Sequence, residues 1–209
     1  QKRGGRVKSG AFGFESRDGI WNSRRMNTKR LFAGVKVAAT AALRAELAAW
    51  QQALRGERIR WTRPENLHLT IEFFGATEEG RIPELKAALA QAAAATKTFA
   101  IKLGGAGTFG GARSPRVLWL GVESAGLEEL HGRVVAALAG IGWNPEAREF
   151  APHLTLGRIS RLQDTRRFGE ALESRRAGVL PEQPVNELVL FASVTGRYVS
   201  VGSWGLGGG

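Results

Sequence analysis

The 209-residue chain contains no cysteine, a single methionine, a single tyrosine and only three histidines. Without thiols there is no disulfide framework, no thiolate nucleophile and no thiolate metal site, so several enzyme classes drop out at once. Long hydrophobic runs are missing too. Every apolar stretch is broken by charge or glycine well before the ~20 residues a membrane span requires, and no charged start followed by an apolar segment marks a signal peptide. The expectation is a cytoplasmic protein with no membrane partner. Hydrophobic residues make up 43% of the chain, which suffices for a core in one domain or in two small lobes.

Acidic residues are outnumbered. The 30 Lys and Arg face 19 Asp and Glu, a formal charge of +11. Such an excess favours polyanions, because basic groups near phosphates release counterions and steer association. Part of it lies in residues 1–25, where Lys2, Arg3, Arg6, Lys8, Arg17, Arg24 and Arg25 face only Glu15 and Asp18. This basic, glycine-rich segment reads as a disordered leader, a cloning remnant or an over-extended start, with the only methionine, Met26, directly after it. Residues 26–209 are left as the folded unit.

Hydrophobic periodicity divides that unit. Arg30–Val37 reads as a strand, and Thr40 is a suitable N-cap for a helix whose Leu43, Leu47, Trp50 and Leu54 share a face until Gly56 stops it. An extended piece at Ile59–Thr62 and a turn at Pro64–Asn66 lead to a strand over Leu67–Phe74, closed by Gly75. Leu85 and Leu89 mark a second helix, with Pro83 in its first turn, that ends near Ala95. Phe99–Leu103 and Val117–Val122 read as strands joined by a long glycine-rich loop carrying Arg113 and Arg116. Leu127, Leu130, Val134 and Leu138 define a third helix ending at Gly140, followed by a strand over Phe150–Arg158. Asp164 can cap a short helix through Phe168 and Leu172, and Glu187–Val194 and Arg197–Trp204 are late strands that pair around Thr195-Gly196. Strand, helix, strand, helix, strand thus occurs once in each half. The pattern predicts an α+β fold organised as a bilobal pseudo-twofold duplication, two antiparallel sheets lining a central groove with helices packed outside.

The chemistry sits in a repeat. His68-Leu69-Thr70-Ile71 returns 85 positions later as His153-Leu154-Thr155-Leu156. Alternation on a strand sends each His and its Thr to one face and the aliphatic residues to the other, provided no bulge intervenes. Two imidazoles in one cleft form an acid/base pair suited to in-line displacement at phosphorus, where one proton leaves the attacking oxygen and another reaches the leaving oxygen. The reaction needs no metal and no cofactor. Thr70 and Thr155 can donate to the non-bridging phosphate oxygens. Arg158, at the end of the second strand, offers a fork of donors for phosphate, yet strict alternation would place it on the face opposite His153. His131 stands beside the stripe of the third helix without a following Thr and reads as a boundary residue. Trp61, Phe74, Trp119 and Trp204 are candidates for base stacking, with core packing the better reading of each.

The flanking residues match a known pattern: Arg30-Leu31-Phe32; Glu65-Asn66-Leu67-His68-Leu69-Thr70 with Phe73-Phe74-Gly75; Ser114 to Gly121; Pro152-His153-Leu154-Thr155-Leu156-Gly157-Arg158; and the closing Tyr198 and Trp204-Gly205-Leu206. From about Lys29 to Leu206 the chain resembles the RNA 2′,3′-cyclic phosphodiesterases, also called 2′-5′ RNA ligases, of the two-histidine phosphoesterase superfamily. The resemblance implies metal-independent hydrolysis of a terminal RNA 2′,3′-cyclic phosphate to a 2′-phosphate and, in some members, reversible joining of RNA ends through 2′-5′ bonds. It also implies roles. His68 would protonate the leaving 3′ oxygen, His153 would activate water, and Thr70, Thr155 and Arg158 would hold the phosphate. The partner would be RNA with a cyclic phosphate end, bound by a monomer whose groove is complete within one chain. Three other readings stay open: a non-catalytic module that binds RNA ends, a metal hydrolase using the histidines as ligands, and an enzyme for another cyclic or 2′-5′ linked nucleotide.

Overall fold

Alternating strands and capped apolar helices build the described residues, 27–111, 114–144 and 149–207, of this computed structural model. The expectations for residues 1–25 and for Arg113 lie outside them. In chain order the elements are β1 (Thr28–Lys36), α1 (Ala41–Ala53), β2 (Arg58–Trp61), β3 (His68–Glu78), α2 (Ile82–Ala94), β4 (Phe99–Gly111), β5 (Ser114–Glu123), α3 (Ala125–Gly140), β6 (His153–Arg161), α4 (Thr165–Ser174), β7 (Gln183–Val185), β8 (Glu187–Val194) and β9 (Arg197–Gly205). Three of the helices begin at a side chain that accepts an otherwise orphaned backbone N–H. Thr40 Oγ1 takes that of Leu43 at 3.3 Å, Ser124 Oγ that of Leu127 at 3.3 Å and Asp164 Oδ1 that of Arg167 at 2.9 Å.

The strands run β7-β4-β5-β6-β3-β1-β8-β9, every pairing antiparallel, with β2 beside β6. The two His strands lie at the centre. They touch through one residue pair, Leu69 opposite Leu154, because β2 takes over the same edge of β6 from Gly157 to Arg161. The two expected sheets are therefore the halves of one continuous sheet. The sequence halves also interleave: β8, from the chain's end, pairs with β1 on one side and with β9 on the other, and not with the strands that immediately precede it.

One core runs beneath both lobes. It unites Leu69, Ile71, Leu154 and Leu156 of the central strands with Leu43, Leu47 and Trp50 of α1, Leu85 and Leu89 of α2, and Leu127, Leu130 and Val134 of α3. The glycine-rich segment after Leu103 differs from expectation. It is no loop: β4 and β5 stay paired from Lys102 opposite Glu123 to Gly111 opposite Ser114. Glycine permits this because Gly105 (φ 60°) and Gly110 (φ 111°) take left-handed conformations at two irregularities of the ladder. Gly75 (φ 64°) does the same in β3, which continues to Glu78 instead of closing there. Thr195 (φ 45°) and Gly196 (φ 79°) form the tight turn expected between the last two strands.

Candidate active site

Leu69 and Leu154 are fully buried, and alternation turns their neighbours His68, Thr70, His153 and Thr155 to the other face of the sheet. All four line one groove of about 240 Å³. Antiparallel register carried one residue either side of the Leu69–Leu154 pair sets His68 across from Thr155 and Thr70 across from His153. The two imidazoles occupy one diagonal of this quartet and the two hydroxyls the other.

Both rings are held in the same way. Nδ1 of His68 lies 2.6 Å from the Asn66 carbonyl oxygen and Nδ1 of His153 lies 2.9 Å from that of Ala151, each two residues upstream. A carbonyl only accepts, so Nδ1 carries the hydrogen and Nε2 is left as the site of proton exchange. Burial pushes both histidines below the ordinary imidazole pKa, against the opposing pull of these carbonyl bonds. The Arg158 charge lowers both further, and the charge of His153 lowers His68. The two rings and the guanidinium thus share one electrostatic neighbourhood.

Arg158 reaches the groove despite its odd spacing from His153. The ladder between β5 and β6 passes from Trp119 opposite Thr155 to Leu118 opposite Gly157, leaving Leu156 as a bulge that turns Arg158 back to the groove face. The same irregularity occurs in β3, where Gly34 faces Thr70, Ala33 faces Glu72 and Ile71 is passed over. Phe73 is brought to the groove by that bulge, so the pseudo-twofold sets an aromatic ring where its counterpart carries a guanidinium.

Aromatic walls complete the site. Phe32 and Tyr198 each lie 4.8 Å from the His68 ring, and Phe109 stands edge-on to His153 at 4.7 Å. Asn66 ties the wall to the His68 strand, its Nδ2 donating to the Gly196 carbonyl at 3.3 Å and its Oδ1 accepting the Tyr198 N–H at 3.4 Å. Among the described residues no cluster of three or more His, Cys, Asp or Glu side chains is arranged to hold a metal ion, and no helix is long and apolar enough to cross a membrane.

A sequence profile described as the 2′-5′ RNA ligase superfamily matches residues 39–196. The chain belongs to this superfamily. Curated proteins similar to it include RNA 2′,3′-cyclic phosphodiesterases of Geobacillus stearothermophilus (39% identical over 47% of this chain and 32% of the relative), Aquifex aeolicus (32% over 64% and 72%) and Methanocaldococcus jannaschii (26% over 78% and 91%). The chain spans about a third of the Geobacillus protein's length and 62% of a Methanothermobacter thermautotrophicus relative's. Among solved structures, a Thermus thermophilus protein superposes with a TM-score of 0.68 at 25% identity, covering 86% of this chain and 98% of that one. E. coli LigT complexed with 3′-AMP superposes with a TM-score of 0.65 at 26% identity, covering 86% and 99%.

All five residues singled out in the sequence, His68, His153, Thr70, Thr155 and Arg158, meet in the groove of this superfamily member. His131 does not. It stacks on Phe150 with ring centroids 4.0 Å apart, at the boundary of the core. Of the four aromatics weighed for base stacking, Phe74 is buried, Trp61 and Trp204 pack partly buried against the core, and Trp119 lies over Gly107 with its indole N–H enclosed. The exposed aromatics at the site are instead Phe73 (57% exposed), which lines the groove, and Phe109 (37% exposed), edge-on to His153. The sequence reading gave no role to the groove residues Arg30, Thr62 and Ser193. Arg30 and Thr62 lay within its reach, since each stands at an end of a strand that alternation orients.

Proposed function

We propose that this chain hydrolyses the terminal 2′,3′-cyclic phosphate of RNA to a 2′-phosphate, by acid/base catalysis from His68 and His153 and without a metal. The observation that carries the reading is the pair of identically tethered imidazoles, each with Nε2 free, in one groove beside Arg158. The names of the superfamily relatives support the substrate class. Neutral His153 takes a proton from water as the oxygen attacks phosphorus in line with the 3′ oxygen. The P–O3′ bond breaks, and the proton on His68 Nε2 passes to O3′, leaving a 3′ hydroxyl and a 2′-phosphate. Burial and, after it, the Arg158 charge lower the pKa of His68, and a bound phosphodiester anion beside Nε2 opposes them by favouring the imidazolium, so substrate binding helps to load the acid. Thr70, Thr155 and Arg158 hold the non-bridging oxygens as charge gathers there. Because the groove draws on strands of a single chain, we propose a monomer of residues 26–209, acting in the cytoplasm.

The test is turnover of an oligonucleotide ending in a 2′,3′-cyclic phosphate, in the presence of EDTA. A 2′-phosphate product is expected. His68→Ala and His153→Ala should each lower the rate by about 10²- to 10⁴-fold while RNA still binds. Binding without turnover by the unaltered chain would identify a non-catalytic RNA-end module, and loss of activity in EDTA would revive a metal hydrolase.

A further inference from the structure

The groove does not end at Arg158. β2 lies along the outer half of β6 with Arg60 opposite Arg158 and Arg58 opposite Arg161. Cross-strand partners point to the same face, and Thr62, two residues beyond Arg60, lines the groove itself. Ile59 and Trp61 alternate to the other side, against the core. Arg60, Arg58 and Arg161 are therefore set on the groove face, in a row leading away from the histidines, and all three are exposed. The row ends in a small cavity of about 150 Å³ lined by Arg58, Arg161 and Gln163.

Like charges directly opposite on a two-stranded ribbon repel, so such a row costs stability unless something neutralises it. The chain does not. Among the described residues none of the three forms an ion pair, although Glu57 is adjacent to Arg58 in sequence. Both Glu57 carboxylate oxygens are engaged elsewhere, accepting the backbone N–H of Gln163 at 2.6 Å and of Asp164 at 3.0 Å. The nearby Asp164 accepts the N–H of Arg167. The local carboxylates are spent on backbone amides and the guanidiniums are left for an external anion.

We propose that the β2–β6 ribbon is a phosphate track for single-stranded RNA, which holds the nucleotides upstream of the reacting end through Arg60, Arg58 and Arg161. The inference rests on the function proposed above, since it takes the reacting end to lie between the histidines. From Thr155 to Arg161 the strand covers about 20 Å, room for about three extended sugar–phosphate units. Arg58 and Arg60, two residues apart on one face, are separated by about 6.6 Å, close to one repeat of such a strand. Guanidiniums on a strand face read charge and not bases, so the track adds affinity without sequence preference.

The experiment compares the full chain with the triple variant Arg58→Gln/Arg60→Gln/Arg161→Gln by two readouts. The first is fluorescence anisotropy of a labelled single-stranded RNA ten nucleotides long, titrated over a range of salt concentrations. Loss of three phosphate contacts should reduce the slope of log affinity against log salt by about 2, at ~0.7 per contact on a single strand, and weaken binding at least tenfold at low salt. The second is kcat/KM for a 2′,3′-cyclic mononucleotide against a cyclic-ended tetranucleotide. The variant should match the parent on the mononucleotide and lose the advantage of the longer substrate. Equal binding and an equal salt slope in the two proteins would overturn the track. Absence of turnover by both proteins on both substrates would overturn the proposed function and leave the binding comparison to decide the track alone. An equal loss on both substrates, with an unchanged salt slope, would show that the substitutions disturb the groove and would also overturn it.

Discussion

Each groove imidazole is fixed by one bond from Nδ1 to a carbonyl two residues upstream, so the strand backbone itself selects the tautomer. The environment of the two rings then sets the pH response. Burial and, after it, the Arg158 charge disfavour the imidazolium, which lowers the pKa of both the proposed base, His153, and the proposed acid, His68. Both limbs of the kcat/KM profile, which report the free enzyme, should consequently lie below the ordinary imidazole value. Arg158→Gln removes a positive charge from both rings. The limbs should move to higher pH together, while kcat/KM falls by about 10- to 100-fold for the loss of a charged hydrogen bond of ~1.5–3 kcal/mol. Profiles measured from pH 4 to 9 decide this, and limbs that stay in place or move down would show that Arg158 does not face the pair.

At the scale of elements, the β4–β5 hairpin shows where glycine is needed and where it is incidental. A Cβ on Gly107 would stand 2.2 Å from the Trp119 ring, whose other neighbours are Phe109 and His153. Gly107→Ala must therefore push the indole toward the groove, at a cost of about 1–3 kcal/mol and with a fall in activity. Gly111→Ala, with nothing within 4 Å, should stay within about 0.5 kcal/mol of the parent. Urea unfolding of the two variants measures the contrast. The same hairpin marks the limit of what the chain's pattern reveals. Helix stripes and caps were legible because burial follows a fixed period, as Leu43, Leu47 and Trp50 behind Thr40 show. The paired histidines were legible because their repeat carried its own flanks. A run of Gly104, Gly105, Gly107, Gly110 and Gly111 has no apolar alternation to announce a strand, and here the ladder rather than the side chains holds it extended. The bulges at Ile71 and Leu156 were equally silent, since one residue passed over in a ladder leaves no mark in composition, yet the second of them brings Arg158 to the groove.

For the whole molecule the decisive fact is that chain order and spatial order differ. The lobe that holds His68 is closed by β8 and β9, which follow the strand of His153 in sequence, so the first half of the sequence cannot complete its lobe alone. The two lobes meet in the sheet at one residue pair, but the helices and the central strands share a single core. Leu69 and Leu154 occupy the centre of both arrangements and are fully buried. Leu69→Ala and Leu154→Ala should each cost about 2–5 kcal/mol. If the shared core outweighs the narrow seam of the sheet, each variant lowers the midpoint of one cooperative transition, followed alike by far-ultraviolet circular dichroism and by tryptophan fluorescence. Two resolved transitions, with each substitution shifting only the one that belongs to its own strand, would instead make the lobes independent folding units. The histidines would then be brought together by docking of finished lobes and not by a common core, and the groove would be the part of the molecule lost first.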